Sequence, residues 1–224
     1  MVLIGERLQI MNNIKIHFGP GSNWKSVKNN KDWFCLDVDP SRATLPTGLI
    51  DFSNFNKLPF KDNTCEAIYA SHTFEHINPC VFPSVLSECH RVMSTGAYIR
   101  IVIPDPVKSM KEYFNGNYDF ELFKRRAKKS QDPKRFAPTL FELMLGDFVS
   151  CCGQPKLLGK HGLAHQNAWD KETMFTCLHR AGFKKENIYS VAYKKSKTDL
   201  FSFEGSYPSE ADEHQRSQYF EAMK

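Results

Sequence analysis

The chain has 224 residues, 41% of them hydrophobic and 25% charged, which suits one large globular domain or one domain carrying an insertion, and excludes a disordered or fibrous protein. Its formal net charge of +5 is concentrated between Pro106 and Phe136, where nine basic residues are set against four acidic ones. No run approaches the roughly 20 apolar residues of a membrane span, and seven cysteines without a Cys-x-x-Cys pair indicate buried thiols in a reducing, cytoplasmic setting, not a disulfide framework.

In chain order, Met1-Val2-Leu3-Ile4 is interrupted at once by Glu6 and Arg7 and is too short for the apolar region of a signal peptide. Residues 14–18 are β-branched and apolar and stop at Gly19-Pro20-Gly21, which predicts a first strand. Further strands are predicted over 33–38, closed by Asp39-Pro40, over the short run 49–52, and over 66–71. Apolar residues at Phe82, Val85, Leu86, Cys89, Val92 and Met93 have helical spacing, and Gly96 is read as the helix-stop glycine. A fifth strand follows over 97–103. Residues 107–160 break the rhythm with basic and aromatic helical pieces at 107–114, 118–129 and 139–148, read as an insertion or lid within a single domain spanning 1–224. Asp170 is an N-cap for a helix ending at Ala181-Gly182, and strands are expected over 188–193 and 216–223. Strands alternating with helices at this spacing imply a Rossmann-like α/β fold with a doubly wound parallel sheet.

A glycine pair after the first strand lets backbone approach a ligand where side chains would collide, at the strand end where open α/β sheets bind ligands. By itself Gly19-Pro20-Gly21 is an ordinary tight turn, and it lacks the third glycine of a dinucleotide fingerprint. Asp37 lies about 20 residues further on, where a carboxylate can accept both ribose hydroxyls of a nucleoside. Asp51-Phe52 ends the third predicted strand, with an acid for an adenine amino group and a ring to lie against the base. As isolated residues both suit structural roles equally well; their order is what adds meaning.

The run Leu58-Pro59-Phe60-Lys61-Asp62-Asn63, then residues 67–76 ending Ser71-His72-Thr73-Phe74-Glu75-His76, resembles the segment after the adenine site in class I S-adenosylmethionine-dependent methyltransferases. So does the stretch from Leu86 to Asp105, with Ser94-Thr95-Gly96-Ala97 in place of the usual lysine-proline-glycine-glycine turn. The similarity covers about residues 14–106 and 159–224. It extends to a bacterial subgroup of type 11-like predicted methyltransferases at His165-Gln166-Asn167-Ala168-Trp169-Asp170, at Ala181-Gly182-Phe183 and at residues 219–224. It implies a seven-stranded sheet with an antiparallel last strand and a helical insertion after strand 5. S-adenosyl-L-methionine is the implied cofactor, held by Phe18, Gly19, Pro20, Gly21, Asp37, Val38, Asp51, Phe52, Ser71 and His72. Two departures stand out: His17 where many members carry an acid, and a glycine loop reduced to Gly19 and Gly21.

His72, Glu75 and His76 are metal-ligating residue types at close spacing. The pattern is not His-Glu-x-x-His, and spacing places no third ligand, so the reading is metal-free. Methyl transfer is an in-line displacement at an activated sulfonium methyl, so positioning supplies most of the catalysis. A general base is needed only for an unactivated hydroxyl or a protonated amine. The candidate catalytic residues are His72, His165 and Asp105, with Tyr113 and His161 also expected at the pocket mouth. The basic run at 124–129 is read first as a solvated helix face. As a site it attracts an anionic small-molecule or glycan-precursor acceptor ahead of nucleic acid, and no membrane. A second class of function is a non-catalytic binding module holding RNA or an acidic partner with that run. A third, a dinucleotide oxidoreductase, is disfavoured by the missing glycine.

Overall fold

The computed structural model describes residues 13–21, 32–44, 48–129, 139–149, 164–201, 203, 210 and 213–224. Six strands form one mixed sheet: β1 (Ile14–Phe18), β2 (Trp33–Leu36), β3 (Cys65–Ser71), β4 (Met93–Pro104), β5 (Ile188–Val191) and β6 (Ser217–Met223). Their order is β2-β1-β3-β4-β6-β5. The first four are parallel, and β6 runs antiparallel to both β4 and β5. The antiparallel last strand is as expected.

The seventh strand expected over 49–52 is absent among the described residues. A single bridge, Asp37 to Leu49, takes its place beyond β2. Ile50 N–H donates to Asp37 O, and Asp37 N–H to Gly48 O. Asp51 then turns back to accept from the Ser53 N–H and hydroxyl, a side-chain turn that competes with extended pairing. Gly96 is also not the helix stop. The helix α1 (Phe82–Val92) passes directly into an extended Met93, and Gly96, with φ of 82°, bends β4 internally while its N–H bonds Lys224 O.

Side chains alternate across the sheet with period two. Ile14, Ile16 and Phe18 of β1, with Ile99, Ile101 and Ile103 of β4, join the larger core, against α1 and the helix α5 (Lys171–Arg180). The capping carboxylate of Asp170 starts α5 by accepting from Thr173 N–H, worth about 1 kcal/mol. On the opposite face Trp33, Tyr69 and Val102 meet Phe201, Phe203 and Tyr219. His17 belongs here, ring to ring with Tyr69 at 5.0 Å and with Trp33 at 6.4 Å. Burial holds its imidazole well below the usual range, at about 3, so it is a neutral core residue. Arg100 is fully buried on this face, paired with Glu210 and Glu221 and lying 4.5 Å over the Phe203 ring.

Between β4 and α5 lie α2 (Pro106–Phe114), α3 (Glu121–Lys129) and α4 (Leu140–Leu145). They close a small core of Leu122, Phe123, Leu140, Leu143 and Met144. Arg126 pairs with the buried Asp147, which also accepts from Ser109 Oγ; Arg125 meets Glu213 at 3.2 Å and Lys124 meets Asp119 at 3.3 Å. Much of the basic run is thus locally paired. No described helix is long and apolar enough to cross a membrane.

Candidate functional site

The chain goes from β1 outward to β2 and later returns to place β3 on the other side of β1. That change of direction opens a crevice at the carboxyl ends of β1 and β3, where sheets of this kind bind ligands. A cleft of about 590 Å³, counting its solvent-open part, lies there. Gly19 and Gly21 form its floor. Leu36, Asp37 and Val38 follow β2, Arg42 and Phe52 stand across, and His72, Thr73 and His76 follow β3.

Gly19 has φ of 57°, and a Cβ there would stand 2.5 Å from Thr73 Oγ1. The glycine therefore permits both the left-handed turn and the close approach of the loop after β3. The Thr73 hydroxyl in turn lies 3.1 Å from Phe18 O and 3.1 Å from Ser71 O, tying the two strand ends together. Asp37 is 7% exposed. Its Oδ1 accepts from Asp39 N–H at 2.9 Å, while burial pushes its carboxyl above the ordinary carboxylate range despite that bond and Arg42 nearby. Phe52 is buried and stacked on Phe55 at 6.2 Å.

Of the residues nominated for the cofactor, Gly19, Gly21, Asp37, Val38, Phe52 and His72 line the cleft. Phe18 is packed behind it on Phe74, and Pro20 is buried. Asp51 is exposed and held by Ser53, and Ser71 is part of the β3 pairing with Val102. Leu36, Arg42, Thr73 and His76 line the cleft without having been assigned to it. Thr73 could have been found as the first hydroxyl past the end of β3; no local pattern marks Arg42.

His72 is held from both sides. Its Nδ1 is 3.2 Å from Glu75 Oε1, and its Nε2 is 3.0 Å from Ser217 Oγ and 3.2 Å from Glu213 Oε2. Its φ of 48° is left-handed, a conformation that costs a non-glycine residue on the order of 1 kcal/mol. Glu75 and His76 belong to a 3-10 turn, Phe74–His76. Glu75 is fully buried, yet hydrogen bonding from His72 and the neighbouring imidazoles of His76 and His165 outweigh desolvation and hold its carboxyl at about 2. His165 reaches this turn because its own segment is strapped to it. The N–H groups of Gln166 and Asn167 donate to Glu75 O, and Gln166 Nε2 donates to His76 O at 2.9 Å. The rings of His165 and His76 meet at 4.8 Å, and burial lowers His165 to about 4. Asp105 is placed differently: its carboxylate caps α2, accepting from Val107 and Lys108 N–H, and it lines a separate cleft with Lys108 and Ser217. Tyr113 packs on the small helical core, and His161 lies outside the described residues.

Residues 15–101 match the family model described as a methyltransferase domain. The chain is similar in structure to an S-adenosylmethionine-dependent methyltransferase from Mesorhizobium loti, with a TM-score of 0.50 and 14% identity, covering 96% of this chain and 93% of that one. Similar methyltransferase structures from Archaeoglobus fulgidus (13% identity, 99% and 93% covered, TM-score 0.48) and Methanosarcina mazei (12%, 100% and 98%, 0.48) are found as well. No curated protein matches. The likeness to the Mesorhizobium structure is one of fold: the Rossmann-like α/β architecture of that enzyme class, with its last strands antiparallel.

Proposed function

We propose that the protein transfers a methyl group from S-adenosyl-L-methionine to a small-molecule acceptor in the cleft at the ends of β1, β2 and β3. The observation that carries this reading is convergence: Gly19, Gly21, Asp37, Phe52 and His72, far apart in sequence, line one cleft in a chain whose residues 15–101 match a methyltransferase domain. At Gly19 the cleft is floored by bare backbone, where a Cβ would collide with Thr73.

In this reading the Asp37 carboxylate accepts the two ribose hydroxyls, with Oδ2 and the remaining lone pair of Oδ1 available. Phe52 lies against the adenine, and the Gly19–Gly21 turn admits the amino-acid end. The cofactor supplies a sulfonium methyl already activated for displacement, so the protein's part is alignment and exclusion of water. His72, with both ring nitrogens engaged, is a fixed wall beside the methyl position and not a free base. The acceptor then enters past His72 and His76. Arg125 and Arg126 already face Glu213 and Asp147, so this reading does not require the acceptor to be anionic. The helices α2, α3 and α4 are the elements we assign to covering it, and the pairing of Lys124, Arg125 and Arg126 leaves the RNA-binding alternative without support of its own.

Calorimetric titration of the full chain with S-adenosylhomocysteine tests the reading. One equivalent is expected to bind with a dissociation constant in the micromolar range. Folded protein that takes up none at millimolar ligand overturns it.

A further inference from the structure

The turn after β3 carries a group of side chains that the methyl-transfer reading does not use. Glu75 Oε1 lies 4.0 Å from His76 Nε2 and 3.9 Å from His165 Nε2, and ligating atoms of the three residues all fall within 4.8 Å of one another. Glu75 has no solvent exposure, and its Oε2 accepts no hydrogen bond among the described residues; His76 Nδ1 is in the same position. The oxygen nearest both imidazoles is Oε1, which also faces His72 Nδ1 at 3.2 Å. The site therefore rests on the clustering of a buried carboxylate with two imidazoles, Glu75 and His76 each keeping a further atom without a partner among the described residues.

We infer that Glu75, His76 and His165 bind a divalent transition-metal ion, with an open coordination position toward the cleft. One carboxylate and two imidazoles form a donor set that catalytic zinc sites use with a fourth position left for water or substrate. Imidazole pairs select zinc or its first-row neighbours over magnesium, which takes oxygen ligands. Ligands about 2.1 Å from one tetrahedral ion stand roughly 3.4 Å apart, so the 3.9 and 4.0 Å pairs need a contraction of about half an ångström and the widest separation, up to 4.8 Å, a larger one.

The surroundings are already arranged for it. His165 Nδ1 faces the backbone carbonyl of Asp147 at 3.4 Å, a partner that favours the tautomer protonated at Nδ1, in which Nε2 is the ligating nitrogen. Outer partners of this kind orient metal-binding imidazoles. Asp147 is itself held by Ser109 and Arg126, and the strap through Gln166 and Asn167 fixes His165 against the turn. Spacing alone could not place this third donor beside Glu75 and His76, since His165 lies 89 residues beyond His76.

His76 is the ligand that lines the cleft, so the open position takes an oxygen of the acceptor, a hydroxyl or a carboxylate. This last step rests on the methyl-transfer reading, whereas the ion site does not. The test uses the full chain stripped with a chelator and titrated with Zn2+ by calorimetry and with Co2+ by visible absorption. One equivalent of each is expected, the Co2+ spectrum showing nitrogen and oxygen ligation. Glu75→Gln and His165→Ala are each expected to weaken Zn2+ binding about 100-fold, at or beyond the upper end of what loss of an outer partner costs. Absence of one-equivalent binding overturns the inference. So does a thiolate charge-transfer band, which would put the ion on a cysteine, or unchanged affinity in both variants. Should the variants not fold, the wild-type Co2+ spectrum decides. S-adenosylhomocysteine binding to the metal-free chain is measured alongside, so that loss of the ion site and loss of the cofactor reading are told apart.

Discussion

The two walls of the cleft are built in different ways. The wall of Gly19, Asp37 and Phe52 comes from the ends of β1 and β2 and the bridged loop that follows β2, within about 35 residues of chain. The wall of His72 and His76, backed by Glu75 and His165, needs a segment from beyond β4 and three helices to come back and bond to the β3 turn. The first wall is shaped by backbone, with space kept open by glycine. The second is shaped by ionisable side chains buried against one another, which costs folding energy unless a ligand or proton satisfies them. A wall of the first kind holds a ligand by fit; one of the second kind holds charge.

If the division is real, the walls can be disabled separately. Asp37→Ala removes two charge-assisted hydrogen bonds to the ribose, and the expected loss of S-adenosylhomocysteine affinity is about 3 kcal/mol, roughly a hundredfold. Zn2+ affinity should stay within about threefold in the same variant. Glu75→Ala should do the reverse. Zn2+ at about 100 times its dissociation constant stabilises the wild type by about 2.7 kcal/mol, a rise in Tm of roughly 5–11 °C for a chain of this size. That rise should vanish in the variant while S-adenosylhomocysteine affinity stays within about threefold. Differential scanning calorimetry and ligand titration on both variants check the pattern. A variant that loses both ligands would show that the walls act as one unit.

This contrast also governs what the sequence made legible. Strand and helix rhythm is a local property, so β1 to β4 and the capped α5 could be placed from apolar spacing, Gly and Asp alone. The expected strand at 49–52 failed because Asp51 prefers its own turn with Ser53, a choice that apolar content does not reveal. Gly19 and Asp37 of the cofactor wall were legible for the same reason as the fold, standing at the ends of β1 and β2, and Phe52 follows the bridge at Leu49. Arg42 and Thr73 were missed because their place depends on how loops from different strands meet. The cluster around Glu75 was half visible as His72, Glu75 and His76, and His165 was nominated separately. Nothing in spacing could join them, since the hydrogen bonds from Gln166 and Asn167 to Glu75 O are what bring them together.

A buried histidine outside both walls gives a control on acid sensitivity. His17 is neutral in the fold, with its imidazole lowered by burial to about 3 from 6.5. Its contribution to stability is complete above pH 6.5 and is lost as pH falls toward about 3, because the unfolded chain takes up the proton first. The slope approaches about 1.4 kcal/mol per pH unit in that window. His17→Leu should remove this component, so its Tm should gain on the wild type steadily as the pH is lowered from 6.5 to about 4.5. Equal pH slopes for the two proteins would mean that His17 titrates as freely in the fold as outside it.

The smallest expected effect separates the two glycines of the cofactor wall. Both have positive φ, 57° at Gly19 and 56° at Gly21, but a Cβ on Gly21 meets nothing within 4 Å, whereas one on Gly19 runs into Thr73. Gly21→Ala should therefore cost only the left-handed backbone, about 1 kcal/mol. Gly19→Ala should cost that and also push Thr73 away from Phe18 O and Ser71 O, parting the strand ends that position Asp37 opposite His72. Urea unfolding should place Gly19→Ala below Gly21→Ala by a further 1–2 kcal/mol in order of magnitude. Thr73→Ala, which removes the atoms at 2.5 and 2.7 Å, should recover part of that difference in the Gly19→Ala background and none in the Gly21→Ala one. If both glycine variants lose the same stability and neither is rescued, the floor of the cleft is set by the turn alone, and the close contact with Thr73 has no part in shaping it.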